Sequence, residues 1–437
     1  MKIRHFCAAI NEMLDRKTPP SISTDFNLAI KNVSSIMLGS GITIHEVNTG
    51  TQDITKVELI FKCGRVNEEH IAAARATANL LGEGTSSHTS AEIDEHFDFY
   101  GAIVKFRSAL ESTSISLVCL NRHFQKVWPM FYSVIFDPLF DEKEVKKYAD
   151  VASQKLRNQI SKNEIISYRV LTEKIFGKDH PYGYNTQPED IASLKAESIK
   201  NFYNKNFSIE NAFIVLSGKY DDKIKQRITS DFERAKKESS MHFQSFYAQD
   251  FSNKTFNEKT QNDSQVSIKM GRMMFERKHK HFSHFYFLNT ILGGYFGSRL
   301  MKNIREDKGY TYGIYSSLDA YKQNGVFYIS SEVGNDFVNP CITEIYNEID
   351  TLKSTLVNEE EMSMVRNYLL GQSLHLIDGP FATGHLIKNI YSKDLEISDF
   401  ENHINIIRNI TSVELREIAN LYLDKNTFTT VLAGYIT

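Results

Sequence analysis

An arginine and a tyrosine, Arg305 and Tyr312, are the residues whose types and spacing best suggest chemistry in this chain. Both side chains donate hydrogen bonds, the arginine through a planar fork and the tyrosine through its hydroxyl. Donors that are held in place can bind a peptide carbonyl or stabilise a developing oxyanion. The pair therefore indicates a site that holds a peptide backbone near a reacting carbonyl.

A helix followed by a strand is predicted to position this pair. Leu300 and Ile304 lie four positions apart and predict an amphipathic helix, which Gly309 would terminate. In a strand that begins at Tyr310, alternate side chains share a face, so Tyr310, Tyr312 and Ile314 would lie on one face. The guanidinium and the phenol can then point into one space.

Short motifs along nearly the whole chain have an order and spacing that are specific only in combination. They are the segments 61–64, 84–85, 92–93, 100–102, 180–183, 188–191 and 292–312. Together they resemble the insulinase/pitrilysin-type zinc peptidases, and the most similar branch is the one with short subunits that includes mitochondrial processing peptidase. The resemblance implies a clam-like chamber that two such subunits close.

The zinc motif of that family is degenerate in this chain. The resemblance implies a His-x-x-Glu-His motif shortly before Gly84, in which the histidines bind zinc and the glutamate activates water. Those positions carry Arg75, Ala78 and Asn79, and the family's distal glutamate ligand falls on Lys155. The expectation is therefore that the chain has no catalytic residue, no metal ligand and no cofactor of its own.

The resemblance then implies a non-catalytic, substrate-binding subunit of a heterodimeric zinc endopeptidase. A homologous partner with an intact motif would supply the zinc and the base. Arg305 and Tyr312 would bind an unstructured peptide, which would add to a sheet edge as an extended strand. Two alternatives stay open: a structural scaffold, like the family's core proteins of the respiratory cytochrome bc complex, and an independent metalloenzyme with an atypical site.

The candidate for such an atypical site is the sequence Glu-x-x-Glu-His formed by Glu92, Glu95 and His96. The three side chains share a helical face and are capable zinc ligands. However, Ile93 and Phe97 supply the apolar stripe of this helix, which favours a solvated face for the acids and the histidine.

Other candidate residues also favour a structural interpretation. His180 lies in a His-Pro-Tyr-Gly turn and indicates a positioned loop. His281 and His284 have a spacing that could hold a metal, but no carboxylate is near and two lysines would oppose a cation. The glycine-rich segment 292–297 lacks the Walker pattern, which favours tight packing or a substrate-contacting loop over a phosphate site.

Composition describes an ordinary soluble protein whose partners are not nucleic acids. The 437 residues carry 51 basic and 54 acidic side chains, a net charge of −3, so no basic footprint is present. The four cysteines form no Cys-x-x-Cys pair and are expected to be small buried hydrophobes. No window resembles a membrane span or a secretory signal, which predicts a cytoplasmic protein without membrane contact; a periplasmic location stays open if a signal was removed.

An internal repeat predicts the domain organisation. Segments 213–218 and 429–434 both read as a buried strand that ends in glycine, and 216 positions separate Gly218 from Gly434. A period of this length indicates duplicated domains rather than a solenoid. We expect an α+β fold of two homologous sandwich domains, each a mostly antiparallel sheet with helices on one face. The predicted boundaries are 1–235 for the first domain, 236–263 for a polar linker, and 264–437 for the second.

Overall fold

Two mixed α/β units follow one another along the chain in the computed structural model, which describes residues 27–233, 253–260 and 264–434. The strands of the first half form one six-stranded sheet. They are β1 (Val33–Met37), β2 (Thr43–Asn48), β3 (Ile54–Phe61), β4 (Ile103–Ser108), β5 (Thr113–Leu120) and β6 (Ala212–Gly218). The helices of this half are α1 (Ala73–Leu80), α2 (Ser90–Phe99), α3 (Phe124–Phe136), α4 (Glu142–Gln159), α5 (Asn163–Phe176), α6 (Pro188–Ala192), α7 (Ala196–Asn206) and α8 (Asp222–Glu233).

The second half repeats this organisation around a five-stranded sheet. Its strands are β7 (Thr255–Lys259), β8 (Val266–Met274), β9 (Thr311–Ala320), β10 (Gly325–Val333) and β11 (Thr429–Gly434). Its helices are α9 (Phe282–Asn289), α10 (Val338–Ser354), α11 (Glu359–His375), α12 (Gly379–Tyr391), α13 (Ile397–Asn409) and α14 (Ser412–Tyr422). Two π-helical segments, Thr290–Gly294 and Met301–Asp307, lie between α9 and β9.

The two sheets have matching strand orders, which confirms the predicted fold class of two mostly antiparallel sandwich units. The orders are β1-β2-β6-β3-β5-β4 and β7-β11-β8-β10-β9, and they correspond strand for strand once the extra edge strand β1 is set aside. The only parallel pairs among the described strands are β2 with β6 and β7 with β11. Both β6 and β11 are buried along their whole length because they lie inside the sheet and are covered on both faces.

One helix of each half packs on the sheet of the other half, an arrangement that the sequence did not predict. Helix α5 lies on β8 and β11, and α12 lies on β2 and β6. The start of α12 follows the start of α5 by the same 216 positions that separate Gly218 from Gly434. Each sheet therefore has its own helices on one face and a helix of the other half on the opposite face.

Glycines allow both exchanged helices to approach closely. A Cβ atom on Gly271 of β8 would lie 2.9 Å from the Cδ2 atom of Leu171 in α5. A Cβ atom on Gly384 of α12 would lie 3.0 Å from the Cβ atom of Ser217 in β6. Because real side chains do not pack at such distances, a larger residue would push either helix away from its sheet.

The segment predicted as a polar linker, 236–263, contributes a strand to the second sheet. Within it, β7 pairs in parallel with β11, from Thr255 opposite Thr430 to Lys259 opposite Gly434. Phe256 is the only apolar side chain of this five-residue edge strand, so no apolar pattern distinguishes it from the polar stretch of sequence around it. The second sheet therefore begins earlier than residue 264, while 234–252 and 261–263 lie outside the described residues.

Other sequence-based expectations concern the cores. Cys63, Cys119 and Cys341 are buried and free, as expected, whereas Cys7 lies outside the described residues. Burial raises the pKa of Cys119 and of Cys341 to about 12, so both stay protonated thiols. None of the described helices is long and apolar enough to cross a membrane.

Candidate functional site

A large cavity in the first half lies where the degenerate zinc motif was predicted. This α1–α4 cavity has a volume of about 700 Å³ and is bounded by α1, α4 and the segment that follows edge strand β4. Its charged lining residues are Arg65, Glu68, Arg75, Glu83, Glu144, Lys147, Lys155 and Arg169. Cations outnumber carboxylates, so the wall suits an anionic or carbonyl-bearing group better than a metal cation.

The degenerate positions lie on this wall. Arg75 and Asn79 are exposed residues on one face of α1, Lys155 projects from α4, and all three line the cavity. Ala78, the third of these positions in α1, is fully buried. Guanidinium, amide and ammonium groups do not belong to the imidazole, thiolate and carboxylate set that zinc takes. The residues present therefore do not fit zinc, and the described part of the chain holds no group of three or more His, Cys, Asp or Glu able to bind a metal.

Glu68 fixes the start of α1, a role that sequence reasoning missed. Its carboxylate accepts hydrogen bonds from the backbone N–H groups of Ala72 at 3.1 Å and Ala74 at 2.8 Å, and from the hydroxyl of Tyr184. Ala72 has a left-handed φ of 73°, so the chain turns sharply into the helix. The cap determines which face of α1, and hence which residues, lies on the cavity wall.

Burial and hydrogen bonding compete at Glu68. Burial raises the pKa of its carboxyl, whereas the hydrogen bonds from Tyr184, Ala74 and Ala72 act in the opposite direction. Arg65 stacks on the ring of Tyr184 with its guanidinium carbon 3.7 Å from the ring centroid, and it donates to the backbone carbonyl of that residue. Arg65, Glu68 and Tyr184 thus make a fixed wall. The sequence did carry a signal for this arrangement, because the acidic residue Glu68 lies a few positions before an alanine-rich helix.

Arg305 and Tyr312 lie in the second half, away from the lining of the α1–α4 cavity. Arg305 belongs to the π-helical segment Met301–Asp307, and its guanidinium carbon lies 4.6 Å from the ring centroid of Phe296, which is itself 66% exposed. Tyr312 is 92% exposed at the start of β9. Within the described part of the chain, neither side chain makes a hydrogen bond or ion pair, so both donors are free to meet a ligand.

The helix that carries Arg305 follows the sequence prediction. Leu300 and Ile304 are fully buried, and Gly309 has a φ of 69° just after the helix ends. The N–H of Lys308 bonds to the carbonyl of Asn303, five positions earlier, at 2.9 Å, so this end of the helix is a π turn, which is wider than an α-helical turn.

The strand that carries Tyr312 departs from the predicted alternation. Thr311 pairs with Val333 and Ile314 pairs with Ser331, so Tyr312 and Gly313 together oppose a single residue of β10. This β-bulge breaks the strict alternation of side chains at the edge of the sheet. Tyr312 is exposed while its neighbour Ile314 is buried, and a bulge of this kind redirects a side chain beside a site.

The atypical metal site suggested by Glu92, Glu95 and His96 is not assembled. Glu92 accepts a hydrogen bond from the N–H of Thr89 at 2.8 Å and caps α2. His96 donates from Nε2 to the carbonyl of Lys126 at 3.1 Å. Glu92 and His96, two of the three candidate ligands, are therefore engaged in hydrogen bonds that hold the helix. The two acids lie on its exposed face.

The remaining sequence candidates have structural roles. His180 is buried, stacks on Phe176, and accepts the N–H of Tyr182 at Nδ1, while burial lowers its pKa. His281 bonds to the hydroxyl of Tyr422 at 2.8 Å rather than to a metal. In the glycine-rich segment, a Cβ atom on Gly293 would lie 2.6 Å from the backbone nitrogen of a β9 residue, which supports the tight-packing interpretation.

Two family models match this chain over successive segments. The model described as "Insulinase (Peptidase family M16)" matches residues 44–183, and the one described as "Peptidase M16 inactive domain" matches residues 193–369. The first covers the α1–α4 cavity, and the second covers Arg305 and Tyr312.

Curated relatives match over most of their length. An "Uncharacterized zinc protease" of Rickettsia felis is 24% identical over 403 residues, which is 89% of this chain and 95% of that protein. The "Uncharacterized zinc protease YmxG" of Bacillus subtilis is 23% identical over 348 residues, 78% of this chain and 83% of that protein. The "Probable inactive metalloprotease YmfF" of the same species is 19% identical over 400 residues, 86% of this chain and 92% of that protein.

Solved structures share the fold. A peptidase M16 inactive domain from Pseudomonas fluorescens superposes with a TM-score of 0.85 at 19% identity, over 93% of this chain and 99% of that one. A protease from Helicobacter pylori superposes with a TM-score of 0.84 at 16% identity, over 92% of this chain and 99% of that one.

Proposed function

The chain belongs to the insulinase family, peptidase family M16, and we propose that it is a non-catalytic, substrate-binding subunit of a heterodimeric zinc endopeptidase. The observation that supports the proposal is the wall of the α1–α4 cavity, which carries Arg75, Asn79 and Lys155, the residues that the resemblance aligns with the family's metal ligands. A homologous subunit with an intact His-x-x-Glu-His would supply the zinc and the base. The relative named as a probable inactive metalloprotease supports a non-catalytic member of the family.

The substrate-binding part of the proposal rests on Arg305 and Tyr312. Two donors with no competing hydrogen bond or ion pair among the described residues stand on a bulged edge strand and the helix before it. Edge strands β4 and β9 offer unpaired backbone groups to an extended peptide. The arginine and the tyrosine would hold the carbonyl of that peptide and stabilise the tetrahedral intermediate formed at the partner's zinc.

The metal content of the purified chain tests the non-catalytic part. We expect far less than one zinc per chain by elemental analysis after dialysis against zinc, and no cleavage of unstructured fluorogenic peptides by the chain alone. Zinc near one equivalent together with chelator-sensitive cleavage would show an independent metalloenzyme and would overturn the proposal.

Variants of Arg305 and Tyr312 test the substrate-binding part in the assembled complex. The chain is mixed with homologous subunits of the same organism that retain His-x-x-Glu-His, and steady-state cleavage and co-elution are measured. Arg305→Ala and Tyr312→Phe should each lower turnover on the order of 10²–10³, because an oxyanion donor contributes about 3–4 kcal/mol. Arg305→Lys should not restore full activity, since an ammonium lacks the planar fork.

Neighbouring residues provide matched controls. Lys302→Ala removes an exposed cation from the same helical segment, and Tyr310→Phe removes a hydroxyl two positions from Tyr312. Both should leave turnover within about twofold, since neither residue is proposed to face the carbonyl. Full activity of a complex carrying Arg305→Ala and Tyr312→Phe together would leave this subunit as a scaffold only.

A further inference from the structure

A second cavity, in the second half of the chain, has an unusual concentration of cations. This α9–α13 cavity has a volume of about 440 Å³ and lies between the segment before α9 and helices α11, α12 and α13. Its wall carries Arg277, Lys278, Lys280 and Lys393 against one carboxylate, that of Asp399. The volume lies within the range of small-molecule sites.

Arg277 is a half-buried cation on the wall of this cavity. Its guanidinium carbon lies 3.6 Å from the ring centroid of Phe282, so the cation stacks on an aromatic face. Among the described residues, its guanidinium makes no hydrogen bond and no ion pair. Burial lowers the pKa of Arg277 to about 10, which expresses the cost of holding this charge away from water.

Lys393, in the turn after α12, is a second cation of the same kind. No hydrogen bond or ion pair of its ammonium occurs within the described part of the chain. Burial and the nearby charge of Arg277 both lower the pKa of Lys393. The pKa of both cations is lowered on balance, so the surrounding carboxylates do not fully compensate the two charges, and a bound anion would offset part of that cost.

Neighbouring carboxylates compensate these cations only in part, without an ion pair among the described residues: Asp399 opposes the lowering of the pKa of Arg277, and Glu111 and Asp319 oppose that of Lys393. Asp399 accepts the N–H of Glu396 at 2.8 Å and so caps α13. His403 bonds through Nδ1 to the hydroxyl of Ser283 at 2.8 Å, and burial together with the charge of Arg277 lowers the pKa of His403 to about 3. The histidine is therefore neutral near pH 7 and adds neither charge nor compensation.

The rest of the wall combines polar side chains, such as Gln372, Asn389 and Asn402, with apolar ones, which include Leu369, Leu386, Ile390, Phe400 and Ile407. We propose that the α9–α13 cavity binds a small organic anion, whose phosphate or carboxylate group contacts Arg277 and Lys393 and whose apolar body lies against these side chains. The site is separate from the α1–α4 cavity and from Arg305 and Tyr312. The proposal of an anion site therefore does not depend on the proposed peptidase role.

Titration calorimetry with ligands that share one apolar body tests this proposal on the full chain. Octyl phosphate and octanoate should bind at least about tenfold more tightly than octan-1-ol, because a charge-assisted hydrogen bond contributes about 1.5–3 kcal/mol. Inorganic phosphate lacks the apolar chain, so its affinity shows whether the head group alone is sufficient for binding. Binding of phosphate as tight as that of octyl phosphate would identify a free phosphate as the ligand, whereas weaker binding would identify the amphiphilic anion.

Charge-neutral variants locate the site. Arg277→Gln and Lys393→Gln should each weaken octyl phosphate binding at least about tenfold, while Lys223→Gln, which makes the same change on the exposed surface of α8, should not. Without ligand, Lys393→Gln should not lower the thermal midpoint, since an unpartnered cation is removed. No anion binding at millimolar concentration, equal binding of octan-1-ol, or unchanged binding by both variants would each overturn the proposal.

Discussion

Helices α5 and α12 occupy equivalent positions in the two halves, and each packs on the sheet of the other half, but different polar contacts hold them. On the α5 side, the hydroxyls of Ser167 and Ser267 lie 2.9 Å apart in a buried, neutral contact. On the α12 side, the ammonium of Lys388 donates to the carboxylate of Glu58 at 2.8 Å, and both groups are largely buried.

The difference teaches that apolar packing, rather than any particular polar contact, is the shared part of this exchange. Leu171 and Ile387 are both fully buried at the two interfaces. A neutral hydroxyl pair and a buried ion pair are alternative ways to satisfy polar groups beside such packing, and they respond differently to pH. The exchange also ties the two halves of the chain together.

Truncation of the apolar side chains should have the largest effect on stability. Leu171→Ala and Ile387→Ala should each lower the free energy of unfolding by about 2–5 kcal/mol, because each leaves a cavity between a helix and a sheet. Chemical denaturation of the full chain measures this, with the exposed Leu421→Ala as the control that should change it by less than about 0.5 kcal/mol. If only one of the two variants were destabilised, the exchange would not be equivalent in the two halves.

The ion pair should make only the α12 side depend on pH. Burial opposes ionisation of Glu58, but Lys56 and Lys388 outweigh it and hold the pKa of the carboxyl below its ordinary value. The contribution of this group is therefore complete above the ordinary glutamate pKa of about 4.3 and is lost as the pH falls toward the lower value in the folded chain. Glu58→Gln should lower the free energy of unfolding at pH 7 by about 2–4 kcal/mol, because it leaves buried lysines unpaired.

The measurement is chemical denaturation of the wild type and of Glu58→Gln between about pH 6 and about pH 3. The two should differ most at the upper end of this range and converge toward the lower end. Ser167→Ala, on the α5 side, is the matched control and should show the pH dependence of the wild type, since a hydroxyl does not titrate here. A constant difference between wild type and Glu58→Gln would argue against a stabilising ionised Glu58.

The smallest effect should come from the wall of the α1–α4 cavity. Arg75 is exposed and makes no side-chain hydrogen bond or ion pair among the described residues. Arg75→Ala should therefore change the free energy of unfolding by less than about 0.5 kcal/mol, in contrast to Leu171→Ala. A loss above about 2 kcal/mol in chemical denaturation would show that Arg75 supports the fold of α1 rather than lining a free surface.

Features with a local signal were predictable from the sequence. A buried apolar run that ends in glycine predicted β6 and β11, and the apolar pair Leu300 and Ile304 predicted the helix that carries Arg305. The polar edge strand β7 was not predicted, because only one of its five side chains is apolar and it lies in a segment that resembles a linker. The bulge at Tyr312 was missed for a related reason: a one-residue shift depends on the partner strand, which no local pattern records.

The sequence by itself determined the chemical identity of the residues that the resemblance aligns with the family's zinc motif. Arg75, Ala78 and Asn79 cannot supply the imidazoles and carboxylate of a zinc site whatever the backbone does, because ligand chemistry belongs to the side chain. Only the tertiary structure decided the exchange of α5 and α12 and placed Arg277 and Lys393 on the wall of one cavity. Those groups are far apart along the chain, and their proximity depends on how helices pack on sheets, which residue periodicity does not specify.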